Sequence, residues 1–504
     1  MKKLYKYFIV LTTGALLGGC TYDFPETTPP SSGSANFTKM VSVGNSLTAG
    51  YMDGALYDDG QNASFPSVIA KQMESVGGGA FNQPDINSFN GYNSSVSNPG
   101  AGVILGRFIL ASTGGASPAP TPSGALGGLP APYNTADLPT AYTGDKTTLN
   151  NFAVPGITLA LALTPATGTP GSPYENGLYT RFASAPGTSS IIGDAATALA
   201  DGGTFFTFWL GSNDVLGYAL GGAANEAILT KPADFETLFN SALGSMLNAQ
   251  TSATGAVANV PDVTSIPYFA LVPWNSIPMD AATAAGTNSA FTNYNNGLAA
   301  ALGNSIISQD EHDRRVIEFV EGNNGFLIED PELTDVNAAS GGAIPIPNYR
   351  LTESTDLIPL SAGSILGKLA VPTDPTSVYG VGVALGDAYA LTPAELTKVQ
   401  NRTNSFNNSI ADAVAANADR LVLVDVNSIL KELVVTGASI NGSGLNSTIF
   451  PPFGAFSADG VHPNQRGYAY VANKFIEAIN GKFGSNIPEV NPNDYIGNNL
   501  PIVY

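Results

Sequence analysis

One cysteine, two histidines and two tryptophans among 504 residues are few, and each scarcity removes a class of chemistry. A single thiol, Cys20, excludes a disulfide framework, a cysteine-rich zinc site and thiol catalysis. His312 and His462 lie far apart in the chain, which leaves no histidine cluster for a transition metal, so neither metal nor cofactor is expected. Basic residues are also scarce, 20 against 40 acidic ones, for a net charge of −20. That balance excludes nucleic acid, whose phosphates need basic stripes. It also disfavours passive attraction to anionic lipid head groups. Charged residues reach only 12%, so the surface is clothed in Ser, Thr, Asn and Gly. What is abundant is apolar residue (43%), enough for a packed core, with 56 glycines and 35 prolines that predict long loops.

The longest apolar run, Tyr7 to Leu17, follows Lys2, Lys3 and Lys6 and is too short for a comfortable membrane span. It ends in Leu17-Gly18-Gly19-Cys20, which looks like a bacterial lipobox. Residues 1–19 are therefore expected to be a lipoprotein signal peptide and Cys20 the lipidated residue. Acyl chains contribute about 0.8 kcal/mol per buried methylene, and several of them anchor stably. Residues 20–36, polar and rich in Pro and Ser, read as a tether.

Beyond the tether, apolar runs alternate with helical periodicity. Strands are expected at Phe37 to Val43, Thr204 to Leu210, Ile266 to Val272 and Leu421 to Val426, with Asn151 to Val154 resuming the core. Helices are expected from Ser64 to about Glu74, Pro232 to Gln250 and Gly467 to Asn480. The clearest helix begins at Thr392, where Pro393 and Glu395 complete a capping box, and its face runs through Val399, Phe406 and Ile410. Asn324-Gly325 marks a β-hairpin between Val316 to Val320 and Phe326 to Ile328. Two stretches lack periodicity and read as insertions, at about 75–148 and 335–391. Alternating strands and helices imply an α/β three-layer sandwich with a mostly parallel sheet. Ligands in such folds sit beyond the carboxyl ends of the strands.

Four short motifs follow one another in order: Gly44-Asn45-Ser46-Leu47, Val154-Pro155-Gly156, Gly211-Ser212-Asn213-Asp214 and Asp459-Gly460-Val461-His462. Taken singly, each has a plain structural reading: a serine or glycine in a turn, Asn213 or Asp214 as a helix cap, Asp459 as a turn former. As an ordered set they resemble the SGNH/GDSL hydrolase superfamily, in particular its large lipid-anchored lipoproteins from Gram-negative bacteria. Gln61 to Pro66 and Leu421 to Val426 add to the likeness, which covers about half the chain and neither insertion. The Gly-x-Ser-x-Gly elbow of α/β-hydrolases is absent.

The resemblance implies a flavodoxin-like sheet and a carboxylic-ester hydrolase. Ser46 would be the nucleophile, His462 the general base and Asp459 the orienting acid. An oxyanion hole would be formed by the N–H groups of Ser46 and Gly156 with the Asn213 amide. Where the family usually has an aspartate before the serine, this chain has Asn45, which adds a donor and removes a charge. The other histidine, His312, sits among charged residues and reads as a solvated face. Asp53, Asp58 and Asp59 read as an acidic turn rather than a calcium site. The domain would span residues 37–483, with 484–504 as a C-terminal extension. Its substrate would be a lipid acyl ester or an acylated glycan, and its location the outer membrane of a Gram-negative bacterium. The alternative is a non-catalytic accessory lipoprotein that holds a lipid or docks on an outer-membrane β-barrel transporter.

Overall fold

The computed structural model describes residues 29–112, 118–125 and 131–503, so the signal peptide and Cys20 lie outside the described residues. Four parallel strands form the centre: β1 (Met40–Gly44), β2 (Phe205–Trp209), β3 (Thr254–Ala258) and β4 (Leu421–Val424), in that spatial order. Residues 150–154 run beside the free edge of β1: Ser42 N–H donates to Asn150 (2.7 Å), Phe152 N–H to Ser42 (2.8 Å) and Val154 N–H to Gly44 (3.0 Å). Counting that edge segment, the order is 2-1-3-4-5, a doubly wound sheet whose switch point lies between β1 and β2.

Seven helices pack around this sheet or line the crevice at its end: α1 (Phe65–Met73), α2 (Ile191–Ala200), α3 (Asn213–Leu220), α4 (Pro232–Ala249), α5 (Pro393–Ala415), α6 (Val426–Thr436) and α7 (Gln465–Phe483). Alternation along the strands sends each residue to one layer or the other. Val41, Val43, Phe206, Phe208 and Val257 face α2, α4 and α5. Met40, Phe205, Trp209, Ala256 and Ala258 face α1 and α7. The α5 capping box forms as read: Thr392 N–H reaches Glu395 Oε2 at 2.8 Å, and Pro393 occupies the first turn.

Several elements differ from the sequence reading. Ile266 to Val272 is not a strand; it holds a short 3₁₀ turn, Pro267–Phe269. Pro267 removes a ladder donor there. The third strand is instead Thr254–Ala258, built of small residues because its neighbours are large. A Cβ on Gly255 would meet the Phe206 ring at 2.7 Å. The Asn324-Gly325 step makes no hairpin. Gly322–Asn324 pairs with Ile277–Met279, and Leu327–Glu329 with Tyr349–Leu351. The last strand stops at Val424, since Asp425 turns and caps α6 through Ser428 N–H (3.1 Å).

The aperiodic stretch after α1 carries an antiparallel pair, Phe108–Ser112 with Ala119–Pro122, to which Ile502–Val503 adds a parallel strand. His312 lies on a short helix, Gln309–Arg315, and is half-buried rather than fully solvated; the same helix buries Arg315 completely. No helix among the described residues is long and apolar enough to cross a membrane.

Candidate active site

Three of the four motifs lie just beyond strand ends, and the loop before α7 brings the fourth to the same crevice. β1 is extended through Gly44, and Asn45 then caps a one-turn helix, Ser46–Ala49, by accepting the Leu47 N–H on Oδ1 at 3.0 Å. That places Ser46 at a helix N-terminus in line with the sheet. Residues 150–154 end at Pro155-Gly156, where Gly156 adopts φ +77. A Cβ there would meet nothing within 4 Å, so the position faces open space and glycine is required for its dihedral. β2 ends at Trp209, Gly211 turns the chain at φ +109, and Asn213 opens α3.

Ser46, His462 and Asp459 come together across more than four hundred residues. His462 Nε2 lies 2.9 Å from Ser46 Oγ, and its Nδ1 lies 2.9 Å from Asp459 Oδ2. Asp459 is buried and its carboxylate is saturated. Oδ1 accepts from the N–H groups of Val461 (2.8 Å) and His462 (2.9 Å) and from Ser457 Oγ (3.0 Å); Oδ2 also accepts the Gly54 N–H (2.8 Å). Burial pushes this carboxyl up, but the facing imidazole and the backbone donors outweigh it and hold Asp459 below the ordinary carboxylate range. The Tyr51 ring packs on His462 with centroids 4.9 Å apart.

Asn213 and Asp214 tie the β2 loop to the Gly156 loop. Asn213 Nδ2 donates to the Ile157 carbonyl (2.8 Å), which fixes the amide plane. Asp214 Oδ2 accepts the Leu159 N–H (3.0 Å), while Thr230 Oγ1 donates to its other oxygen (2.9 Å). Burial pushes Asp214 up to about 6. The N–H groups of Ser46 and Gly156 have no hydrogen-bond partner among the described residues. With Asn213, they are the donors available to an oxygen seated beside Ser46.

The crevice continues into a cleft of about 860 Å³, including its open mouth, between α6 and α7. Leu216, Val263, Ile266, Ile429, Leu430 and Leu433 supply much of its wall, so it is apolar away from Ser46 and His462. Among the described residues no group of His, Cys, Asp and Glu is arranged to hold a metal ion.

Sequence reasoning missed the support of the acid. Asp58 and Asp59 open a short helix, Asp58–Asn62, and only Asp53 of the three lies in a turn, at φ +56. Asp53 is buried against the Asp459 loop, accepting the Ala458 N–H at 2.7 Å. Local sequence carries no signal for it, because its partners are hundreds of residues away.

The parallel α/β sandwich brings a serine, an imidazole and a buried carboxylate into line, an arrangement that serine hydrolases use. The family model for GDSL-like lipase/acylhydrolase matches residues 346–475, about a quarter of the chain, and this likeness supports the SGNH/GDSL hydrolase superfamily. The match takes in Asp459 and His462; Ser46, Gly156 and Asn213 lie outside it. No curated protein and no solved structure compared with the chain gave a match. That match supports an ester-cleaving, acylhydrolase-type function.

Proposed function

We propose that this protein is a carboxylic-ester hydrolase whose nucleophile is Ser46. The observation that carries the reading is the pair of 2.9 Å contacts linking Ser46 Oγ to His462 and His462 to Asp459. His462 takes the hydroxyl proton as Oγ attacks the acyl carbonyl, and Asp459 holds the tautomer that leaves Nε2 free to accept it. The carbonyl oxygen becomes an oxyanion facing the Ser46 and Gly156 N–H groups and the Asn213 amide. His462 returns the proton to the departing alcohol, then activates the water that releases the acid from the acyl-serine.

The apolar cleft favours lipid acyl esters over short acyl groups on a glycan, because an aliphatic chain removes its walls from water. Cys20 would carry the lipid that holds the enzyme at the outer membrane of a Gram-negative cell.

Ser46→Ala should abolish turnover of a p-nitrophenyl ester without unfolding the protein. His462→Ala should match it, and the double variant should be no worse, since groups of one catalytic unit are non-additive. Substantial turnover by Ser46→Ala would sink the mechanism. A folded wild type that binds lipid without cleaving any ester would leave the accessory lipid-binding reading.

A further inference from the structure

Asp459 is not held by its own loop alone. The turn Met52-Asp53-Gly54 lies against Ser457-Ala458-Asp459. Gly54 N–H donates to Asp459 Oδ2 (2.8 Å), Asp53 N–H to Ser457 Oγ (2.9 Å), and Ala458 N–H to Asp53 Oδ1 (2.7 Å). Asp53 adopts φ +56, a left-handed conformation that residues other than glycine seldom take. Something must hold it there, and its side chain does. Oδ2 accepts the Tyr57 hydroxyl at 2.6 Å, and Arg107 Nη1 stands 3.9 Å away.

A second buried carboxylate beside the catalytic acid is electrostatically costly. Burial pushes Asp53 above the ordinary range, and Asp459 adds to the rise; Arg107, Tyr57 and the Ala458 N–H oppose it. Arg107 is the one cation among these neighbours. Its guanidinium lies 4.4 Å over the Tyr57 ring and 5.1 Å from the Phe89 ring, and Nε donates to Asn90 at 3.1 Å. Arg107, Phe89 and Asn90 all come from the aperiodic stretch after α1, which the ester-cleaving chemistry otherwise does not use.

We propose that Asp53 and Arg107 are positioning residues for the ester-cleaving site, and that the first insertion serves catalysis by supplying Arg107. The pair fixes the left-handed turn, the turn presents the Gly54 N–H to Asp459, and Asp459 then holds His462 in line with Ser46. This rests on the reading of Ser46, His462 and Asp459 as the reacting groups.

The test uses the whole purified protein and a p-nitrophenyl ester, with Ser46→Ala as the control. Arg107→Leu leaves the Asp53 carboxylate without its cation, so kcat should fall by about 10²-fold, the cost of a small misplacement of reacting groups. KM should stay within about twofold, because no substrate contact is lost. Arg107→Lys should recover most of the rate. Adding Asp53→Asn to Arg107→Leu removes the uncompensated charge, so the double variant should turn over faster than Arg107→Leu. A merely structural role predicts the reverse, a further loss.

Wild-type kcat in Arg107→Leu, or a double variant no faster than the single one, overturns the proposal. Should Arg107→Leu fail to fold, Asp53→Ala decides instead, since it removes the side chain that holds the turn. A lowered kcat at unchanged KM supports the positioning role, and wild-type kcat overturns it. Turnover surviving in Ser46→Ala is a separate result, which removes the catalytic reading itself.

Discussion

Asn45 and Asn213 flank Ser46 in the crevice, yet their amides are committed differently. Asn45 spends Oδ1 on the cap of the serine turn and is left with Nδ2 as a buried donor without a partner among the described residues. An aspartate would make the same cap with an acceptor in that place, so the substitution changes one donor and one charge and leaves the serine turn itself intact. Asn213 donates one N–H to Ile157, and the other remains for an oxyanion. Asn213→Ala should therefore lower kcat by about 10²–10³ with little change in KM, the usual cost of one oxyanion donor. Steady-state kinetics on a soluble ester check it; a raised KM at normal kcat would assign Asn213 to substrate binding. These residues were legible in the sequence because each sits in a short loop directly after a strand, where a motif of three or four residues holds the whole local geometry. Asp53 was not, because its role exists only once Met52-Asp53-Gly54 meets Ser457-Ala458-Asp459 across the fold.

At the level of elements, legibility followed the strength of local signals. α5 carries its own start signal in Thr392, Pro393 and Glu395, and it forms where read. β3 carries none: Thr-Gly-Ala-Val-Ala has little strand propensity and owes its place to the bulk of Phe206 next to it. The α5 cap also has a pH dependence. Burial, reinforced by the facing charges of Asp387 and Glu332, raises Glu395 to about 7, although Thr392 donors pull the other way. A carboxyl raised above its unfolded value stabilises fully below about 4.5 and loses that contribution as pH rises through about 7. Glu395→Gln keeps an acceptor for the Thr392 N–H and never ionises. It should match wild type in thermal unfolding near pH 4 and exceed it by about 1 kcal/mol at pH 8, the shift being discounted for solvent screening. Equal curves at both pH values would show that Glu395 ionises in the fold without penalty. α6 tests the cleft. Leu430→Trp narrows it, so kcat/KM for a palmitoyl ester should fall at least about tenfold while an acetyl ester is spared, each excluded methylene being worth about 0.8 kcal/mol. Uniform loss across chain lengths would place the acyl chain elsewhere.

For the molecule as a whole, the sheet order gathers three of the four motifs at one switch point, and α7 follows directly from the loop that brings the fourth. The N-terminal reading makes its own prediction at this scale. Mass spectrometry of the protein taken from the cells that make it should find a mature chain beginning at an acylated Cys20. An unmodified thiol, or cleavage at another position, would leave a secreted esterase.

Pro29 and Ser34 are bound at the far end of α7: Ser34 N–H donates to the Phe483 carbonyl (2.8 Å), and Asn486 Nδ2 donates to the Pro29 carbonyl (2.8 Å). His462 lies just before the near end of the same helix. Its 19 residues, at 1.5 Å each, set the two points about 28 Å apart. The point where the chain enters at Pro29 and the mouth of the crevice thus lie toward opposite ends of α7. From Cys20 to Pro29 the chain can stretch at most about 30 Å. With a lipid on Cys20, the mouth would point outward from its own bilayer. The mouth would then stand between about 28 and about 58 Å from that surface, the length of α7 plus up to the full stretch of residues 20–29, and would reach esters of its own leaflet only by toppling over.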